Sequence, residues 1–577
     1  MNYNVTQALD QTHTGDLMKY FATTDGILEA NSGVHDNKCL SIDASDPPCP
    51  VQKGMYTKLK LTDESIHVTN IDKSSITALV QIIIKPTEQF WQAIAAGELL
   101  VSTDLRNARD KLTRWFVGFK SSTHLFDAYR VYSRNRKTSC EQTEALYENA
   151  AVRMLKSQEE MDCKPGVYTL WKDAFKMHND ICGTYFSLYD LRIATNNALT
   201  LEFEVTIPLD DFLPFSAMKM YPNCVFGNLT YEVKMAIQQN FVICQCDSLE
   251  VIKKISGRTG RKGTMADGDA KLIYDNIITN ANLMEAYERI TYERSFTQIG
   301  DNFKSYLIQF NDPSVSSIAL TSCFTITDGS LRYCRTNING FNIKESVINT
   351  LLDKYDKDPL LIPSQYVDYQ AFSQKPLSNG VKCNTTYAMT NVSALMFLFP
   401  RTSNELTCSR NPLFASLQMQ IDNKPYPDKP FSSVEHAHTI YNITNAGLDG
   451  LFSPNEEFAY SLTFNELGID NNDTSSVYCC EKDNTSYCFL CSTERLSGYG
   501  TFCDGITKEN AHITLTGTLL PFSSIHPYLK DIITNASNDR SPVMLVCQDC
   551  FWKCTVRGGC EYICNNRHFV EEITGTN

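Results

Sequence analysis

The densest group of reactive side chains in this sequence is the C-terminal string CQDCFWKCTVRGGCEYIC. Cys547 and Cys550 have the separation of a zinc knuckle, and Cys554, Cys560, Cys564 and His568 offer further ligands for one or two tetrahedral sites. Local disulfides or plain thiols account for the same spacing. Cys488-X-X-Cys491, near Cys479, Cys480 and Cys503, presents the same choice. Zinc fits a reducing compartment and disulfides fit a particle that leaves the cell. Other cysteines among the 22, such as Cys224, Cys244 and Cys323, sit singly in apolar runs, where a thiol behaves as a small core residue.

The remaining candidates for chemistry are weaker. The string GRTGRKGT, with Lys253, Lys254, Arg258, Arg261 and Lys262 around Gly257, Gly260 and Gly263, lacks the spacing of a phosphate loop and reads as a solvated basic loop. Asp210-Asp211 follows a strand end without a calcium-loop pattern and reads as a turn. There is no Gly-X-Ser-X-Gly elbow, no His-Glu-X-X-His and no dinucleotide-binding glycine signature, and the 10 histidines are scattered. The sequence therefore assigns no catalytic, cofactor-binding or metal residues, and the chain is not read as an enzyme.

The elements that would position such groups are those of a folded protein. Hydrophobic residues make up 42% of the 577, aromatic residues 11% and charged residues 20%, which excludes a disordered chain. The net charge of −14 disfavours general binding to phosphate backbones, and no sequence-specific nucleic-acid binding is expected. The N-terminal stretch has no basic start followed by an apolar run, so it is not read as a signal peptide. The most apolar windows, Ala78 to Ile84 and Ala394 to Phe399, are less than half the ~20 residues needed to span a bilayer. The expectation is a soluble chain made in the cytosol, with the sequons at Asn228, Asn391 and Asn442 unglycosylated.

Alternation with period two dominates from Lys58 onward. Leu199, Leu201, Phe203, Val205 and Ile207 alternate with polar residues, which predicts a strand with one face in a core. Leu229 to Ile237, Ser416 to Ile421, Tyr460 to Phe464 and His512 to Phe522 follow the same pattern. Helical spacing is confined to Ala145 to Leu155, Leu283 to Ile290 and Val347 to Lys354. Strands without alternating helices predict an all-β chain of two antiparallel sandwiches in series, with long loops. The division expected is an N-terminal arm over 1–56, a first sandwich over 57–295, a second over 296–525 and a Cys-rich segment over 526–577, read as a small cap over the second sandwich. Leu-Pro-Phe recurs at Leu213 to Phe215 and Leu520 to Phe522, a weak sign of duplication.

Eight islands stand on this framework in order. The first half has WFVGFK (from Trp115), ICGTYF (from Ile181), IPLDDFLPFS (from Ile207) and YPNCVFGNLTYEVK (from Tyr221). The second has LIPSQYVDYQAFS (from Leu361), LMFLFPR (from Leu395), RNPLFASLQMQID (from Arg410) and NKPYPDKPFSS (from Asn423). Together, over roughly Lys58 to Phe522, they resemble the major capsid proteins of Polinton (Maverick) elements, adintoviruses and virophages. That resemblance implies a double jelly roll whose homotrimers are pseudo-hexagonal capsomers tiling an icosahedral virion shell assembled inside the host cell, with penton and minor capsid proteins as partners. It brings no catalytic residue with it. The alternatives are a secreted or surface β-sandwich adhesin or receptor-binding protein, and a metal-dependent jelly-roll enzyme.

Overall fold

The computed structural model describes residues 34–86, 88, 114–119, 121–133, 138–145, 147–148, 182–187, 198–216, 218–236, 242–245, 294–299, 305–310, 324–326, 329–374, 380–399, 414–432, 488–493, 505–519 and 541–563. The strands central to the account are β1 (Val34–Asp43), β2 (Tyr56–Lys60), β3 (Val68–Pro86), β4 (Phe126–Tyr132), β5 (Thr138–Gln142), β6 (Leu199–Pro208), β7 (Thr230–Met235) and β8 (Ser330–Ile343). Helix α1 (Glu345–Tyr355) then leads to β9 (Leu360–Ala371), β10 (Gly380–Leu398), β11 (Phe414–Ile421), β12 (Lys424–Phe431), β13 (Cys488–Ser492), β14 (Ile506–Leu519), β15 (Val543–Thr555) and β16 (Gly559–Ile563). The chain is all-β with a few short helical turns and α1, as its alternation predicts.

Two sheets build the first core. One, of seven strands, sets β1 beside β8, β8 beside β3 and β6 on the far side of β3. The other has the order β2-β7-β4-β5. Along β3, Ile76, Ala78, Val80, Ile82 and Ile84 alternate inward and are fully buried. Each such aliphatic side chain larger than alanine contributes about 1.5–3 kcal/mol of burial. On β6, Phe203, Val205 and Ile207 are buried and Leu199 and Leu201 pack partly against the same core, so all five share one interior as expected. Tyr129 and Val131 on β4, with Tyr231 and Val233 on β7, close it from the second sheet. A third sheet joins Arg114–Gly118, Gly183–Ser187, Val242–Gln245, Arg294–Ile299 and Ser305–Phe310. Within it Val242–Cys244 pairs with Tyr306–Ile308 in parallel, where the sequence suggested antiparallel pairing throughout.

The second core lies inside a single sheet of eight strands, order β9-β15-β10-β14-β11-β12, with β13 on β10 and β16 on β15. β10 makes this arrangement by turning a corner. Its first half pairs with β14 and its second half with β15 and β13, with register shifts around Tyr387, Met389 and Val392. Strands that pass between sheets do so through such irregularities. Asn391 takes φ 47° at the corner, and a Cβ at Gly505 would lie 2.3 Å from the Val392 carbonyl oxygen, so only glycine fits there. Leu417, Met419 and Ile421 on β11 share this core with Leu395 and Phe397 of β10 and Ile513 and Leu515 of β14.

Three expectations about organisation need correction. Val34–Asp43 is a strand paired with β8, so this part of the expected arm over 1–56 belongs to the first sheet. Its alternation is faint because one face is exposed and the other only half-buried, so polar residues are tolerated on both. Ser330–Ile343 belongs to the first sandwich, paired with β1 and β3, which moves the division from near Ser295 to the region of α1. Strand periodicity marks which face is buried but not which sheet receives the strand. Finally, β15 and β16 are no cap: β15 sits between β9 and β10 within the second sheet.

The expected helix at Val347 to Lys354 is α1. It buries Leu351 and Tyr355 against the first core, with Val347, Ile348 and Leu352 beside them at helical spacing. Glu345 in the first turn and Lys354 in the last suit the helix dipole. Of the segment Ala145 to Leu155, residues 145, 147 and 148 are helical and the remainder lies outside the described residues, as do Leu283 to Ile290 and Tyr460 to Phe464.

Candidate functional site

The most elaborated polar and aromatic cluster among the described residues lies where the two cores meet. It is built on two strands common to both. On β9, Leu360 and Ile362 belong to the first core and Val367 to the second; on β15, Val543 to Cys547 belong to the second and Cys550, Trp552 and Cys554 to the first. The two strands pair in unbroken register from Leu360 on Cys554 to Ala371 on Val543. No flexible linker can substitute for that ladder, because each core ends on the same strands.

The island IPLDDFLPFS supplies the plug of this joint. After β6, the chain makes two short 3-10 turns, Leu209–Asp211 and Leu213–Phe215, that break the strand at Pro208 and Pro214. The side chain of Phe215 stacks on Trp552, ring centroids 6.1 Å apart, and the Trp552 indole Nε1 donates to the Pro214 carbonyl at 2.5 Å. Trp552 in turn packs on Tyr562 of β16 at 4.9 Å. The Tyr562 hydroxyl donates to the Gln365 carbonyl at 2.8 Å and lies 3.1 Å from Ser364 Oγ, which donates to the Leu213 carbonyl at 3.0 Å. An aromatic body with a satisfied polar tip is what a buried joint between sheets requires.

A buried carboxylate completes the cluster. Glu148 accepts from the Tyr129 hydroxyl at 3.0 and 2.8 Å on its two oxygens, from Gln142 Nε2 at 3.1 Å and from the Leu213 backbone N–H at 3.0 Å. Gln142 Nε2 also donates to the Val367 carbonyl on β9 at 2.8 Å. Burial pushes the Glu148 carboxyl up to about 7, and the bonds from Tyr129, Leu213 and Gln142 oppose that rise without cancelling it. Tyr129 is pushed well above the usual phenol range by its own burial and by Glu148. The group therefore ties β4, β5, the Leu213 turn and, through Gln142, β9. Its geometry is that of a fastener.

The residues singled out in the sequence fall into place unevenly. Cys547 belongs to the second core while Cys550 and Cys554 belong to the first, so the extended strand separates the pair that had the spacing of a zinc knuckle. Among the described residues no three His, Cys, Asp or Glu side chains converge as metal ligands. Cys554 and Cys560 are brought together across β15 and β16. Cys491 is buried on β13; Cys479, Cys480, Cys503, Cys564 and His568 lie outside the described residues. So does the basic loop from Lys253 to Lys262, along with Asn442 and the second Leu-Pro-Phe. Asp210 and Asp211 form the turn expected of them, with Asp211 buried. Asn228 accepts from the Thr62 hydroxyl, and Asn391 sits at the β10 corner. The two most apolar windows are the centre of β3 and the end of β10, both strands. An open cleft of about 790 Å³ is lined by Lys58, Glu64, His67, Asn223 and Glu232 among others; its mixed charge selects no one ligand class. Glu148 went unnoticed in the sequence: it lies within the segment Ala145 to Leu155 read as a helix, close to Glu141 and Glu144, and nothing in that spacing marks one of these acids as buried.

No protein-family model matches the chain, and no curated protein does. Solved structures align with it along nearly its whole length. The mavirus major capsid protein shows a TM-score of 0.46 at 7% identity, covering 95% of this chain and 95% of that one. A chain of the Sputnik virophage structure shows 0.46 at 9% identity, covering 95% and 91%, and the Faustovirus major capsid protein 0.40 at 9%, covering 96% and 98%. At such values the fold of this chain rests on its own strand pairing and cores.

Proposed function

We propose that this chain is a double jelly-roll major capsid protein, a structural subunit without catalytic activity. Its homotrimers would present six similar lobes as pseudo-hexagonal capsomers and tile an icosahedral shell, with penton and minor capsid proteins as further partners in a virion assembled inside the host cell. The eight ordered islands support the family reading, and all eight lie at least partly on described strands and turns. The observation that carries the proposal is the joint: β9 and β15 serve both cores, so the two sandwiches move as one two-lobed tile. A shell unit needs fixed geometry between lobes, whereas an adhesin built of sequential modules gains nothing from shared strands.

The outer edges fit the same role. β12, at the end of the eight-stranded sheet, carries Pro425, Pro427 and Pro430, which limit unplanned strand addition. Closed cyclic symmetry would cover the remaining edges. Mass photometry of the purified chain tests the proposal against the alternatives. Trimers and larger particles are expected; a monodisperse monomer at micromolar concentration under every salt and pH condition would overturn it.

A further inference from the structure

β15 and β16 form a hairpin with a three-residue loop, Val556 to Gly558, closed by Thr555 opposite Gly559. Gly559 takes φ 76°, the left-handed residue that such loops use, and the Gly558 N–H donates to Thr555 Oγ1 at 3.1 Å. The next pair inward is Cys554 opposite Cys560. Directly opposed residues on antiparallel strands have Cα atoms roughly 4.5 or 5.5 Å apart, and both values lie inside the range a disulfide spans. The two sulfurs lie 2.7 Å apart. Elsewhere on β15 the thiols keep ordinary distances: Cys547 Sγ is 3.7 Å from Met396 Sδ and Cys550 Sγ 3.7 Å from the Gln548 carbonyl.

We infer that Cys554 and Cys560 are a specific disulfide site, oxidised by a low-molecular-weight disulfide such as oxidised glutathione, which fastens the hairpin carrying Trp552 and Tyr562 into the joint. One thiolate attacks the small disulfide, forming a mixed disulfide and releasing one glutathione thiolate. The second protein thiolate attacks the mixed disulfide, the new S–S bond forms, and a second glutathione leaves. The pair gives up two electrons and two protons, and both are recovered in two reduced glutathiones.

The surroundings set when this happens. Cys554 is fully buried and Cys560 nearly so, both within the first core, where the Tyr221 hydroxyl is 3.3 Å from Cys560 Sγ. Ser139 Oγ on β5 donates to the Cys560 carbonyl at 2.7 Å, seating the hairpin against the first sandwich. Burial and the neighbouring Cys560 raise the Cys554 thiol well above its usual range, so the thiolate is scarce once the hairpin has docked. Oxidation therefore belongs to the undocked or transiently opened hairpin, and the finished bond is shielded from reductant. The short loop makes the bond a local clasp more than a global stabiliser.

The full chain provides the test without any mutation. It is refolded with oxidised glutathione, alkylated in denaturant without reduction, and digested with trypsin, which cuts after Lys553, Arg557 and Arg567. The inference expects peptide Cys554–Arg557 joined to Gly558–Arg567, two hydrogens lighter than the separate peptides, with fragment ions placing the bond at Cys560 and not Cys564. A Cys560→Ser variant should lose the linked species, and folded oxidised protein should keep it in dithiothreitol until denaturant is added. Full alkylation of both cysteines in the wild-type chain, or a bond from Cys554 to any other cysteine, would overturn the inference, whether or not the variant folds.

Discussion

β6 and β15 are both long, apolar strands, and they serve the fold in opposite ways. β6 alternates, buries one face progressively from Leu199 to Ile207, and belongs to one core. β15 is buried along nearly its whole length, starts in the second core and ends in the first. A strand that faces one core tolerates water on its other side, and its sequence alternates accordingly. A strand shared by two cores has no wet face, and apolar, thiol and aromatic residues run through it without period. The consequence for stability is that damage to β6 is local, while damage to β15 is felt by both sandwiches.

The largest expected break of this comparison comes from Trp552→Ala. It removes the ring stacked on Phe215 and packed at a tilt against Tyr562, and leaves the Pro214 carbonyl without its donor. A loss of about 3–5 kcal/mol is expected by denaturant titration, with both sandwiches unfolding together. The control on β6, Leu201→Ala, removes a half-buried side chain and should cost about 1 kcal/mol, with the second sandwich unaffected. Equal losses from the two variants would contradict the shared-strand account.

Glu148 sharpens the comparison through pH. Its carboxyl is raised in the folded chain from 4.5 to about 7, so the native state holds the proton more tightly than the unfolded state does. The stabilisation is fully present below about pH 4.5, declines as pH rises through about 7, and is absent above. A shift of that size corresponds to about 3 kcal/mol across the window. Stability measured from pH 5 to 8 should fall with pH in the wild-type chain relative to Glu148→Gln, and parallel profiles would show that the joint does not hold a titrating carboxyl.

Smaller effects belong to the periphery. Gly505→Ala places a methyl group against the backbone of the β10 corner and should destabilise by about 1–3 kcal/mol, read as a lower denaturation midpoint. Glu141→Ala removes an exposed partner of Arg130, at 2.6 Å, and should cost less than about 1 kcal/mol, with the difference shrinking further in salt.

The sequence made some of this legible and hid the rest for physical reasons. Period-two runs announced β6 and β11 because each borders water. The apolar window from Ala394 to Phe399 was legible only as too short to span a bilayer; it is the end of β10, and nothing in its composition says that the strand continues past a corner at Asn391. The division near Ser295 failed because β8 returns to the first sheet from far along the chain. Pairing over that sequence distance leaves no local trace. The joint was half visible: Leu213 to Phe215 and Trp552 stood out as strings, while their contact, and the bond from the Leu213 N–H to Glu148, exist only after folding. The terminal cysteines advertised metal or disulfide chemistry by spacing, and the strand then sorted Cys547 from Cys550 and set Cys554 against Cys560.

The central claim, that two sandwiches locked by shared strands form the repeating tile of a shell, is tested most directly by electron microscopy of the purified full-length chain. Class averages should show three copies of a two-lobed body around a threefold axis, giving six similar lobes with a fixed separation between the two lobes of each copy. Solitary two-lobed particles, or lobes whose separation varies from particle to particle, would contradict it.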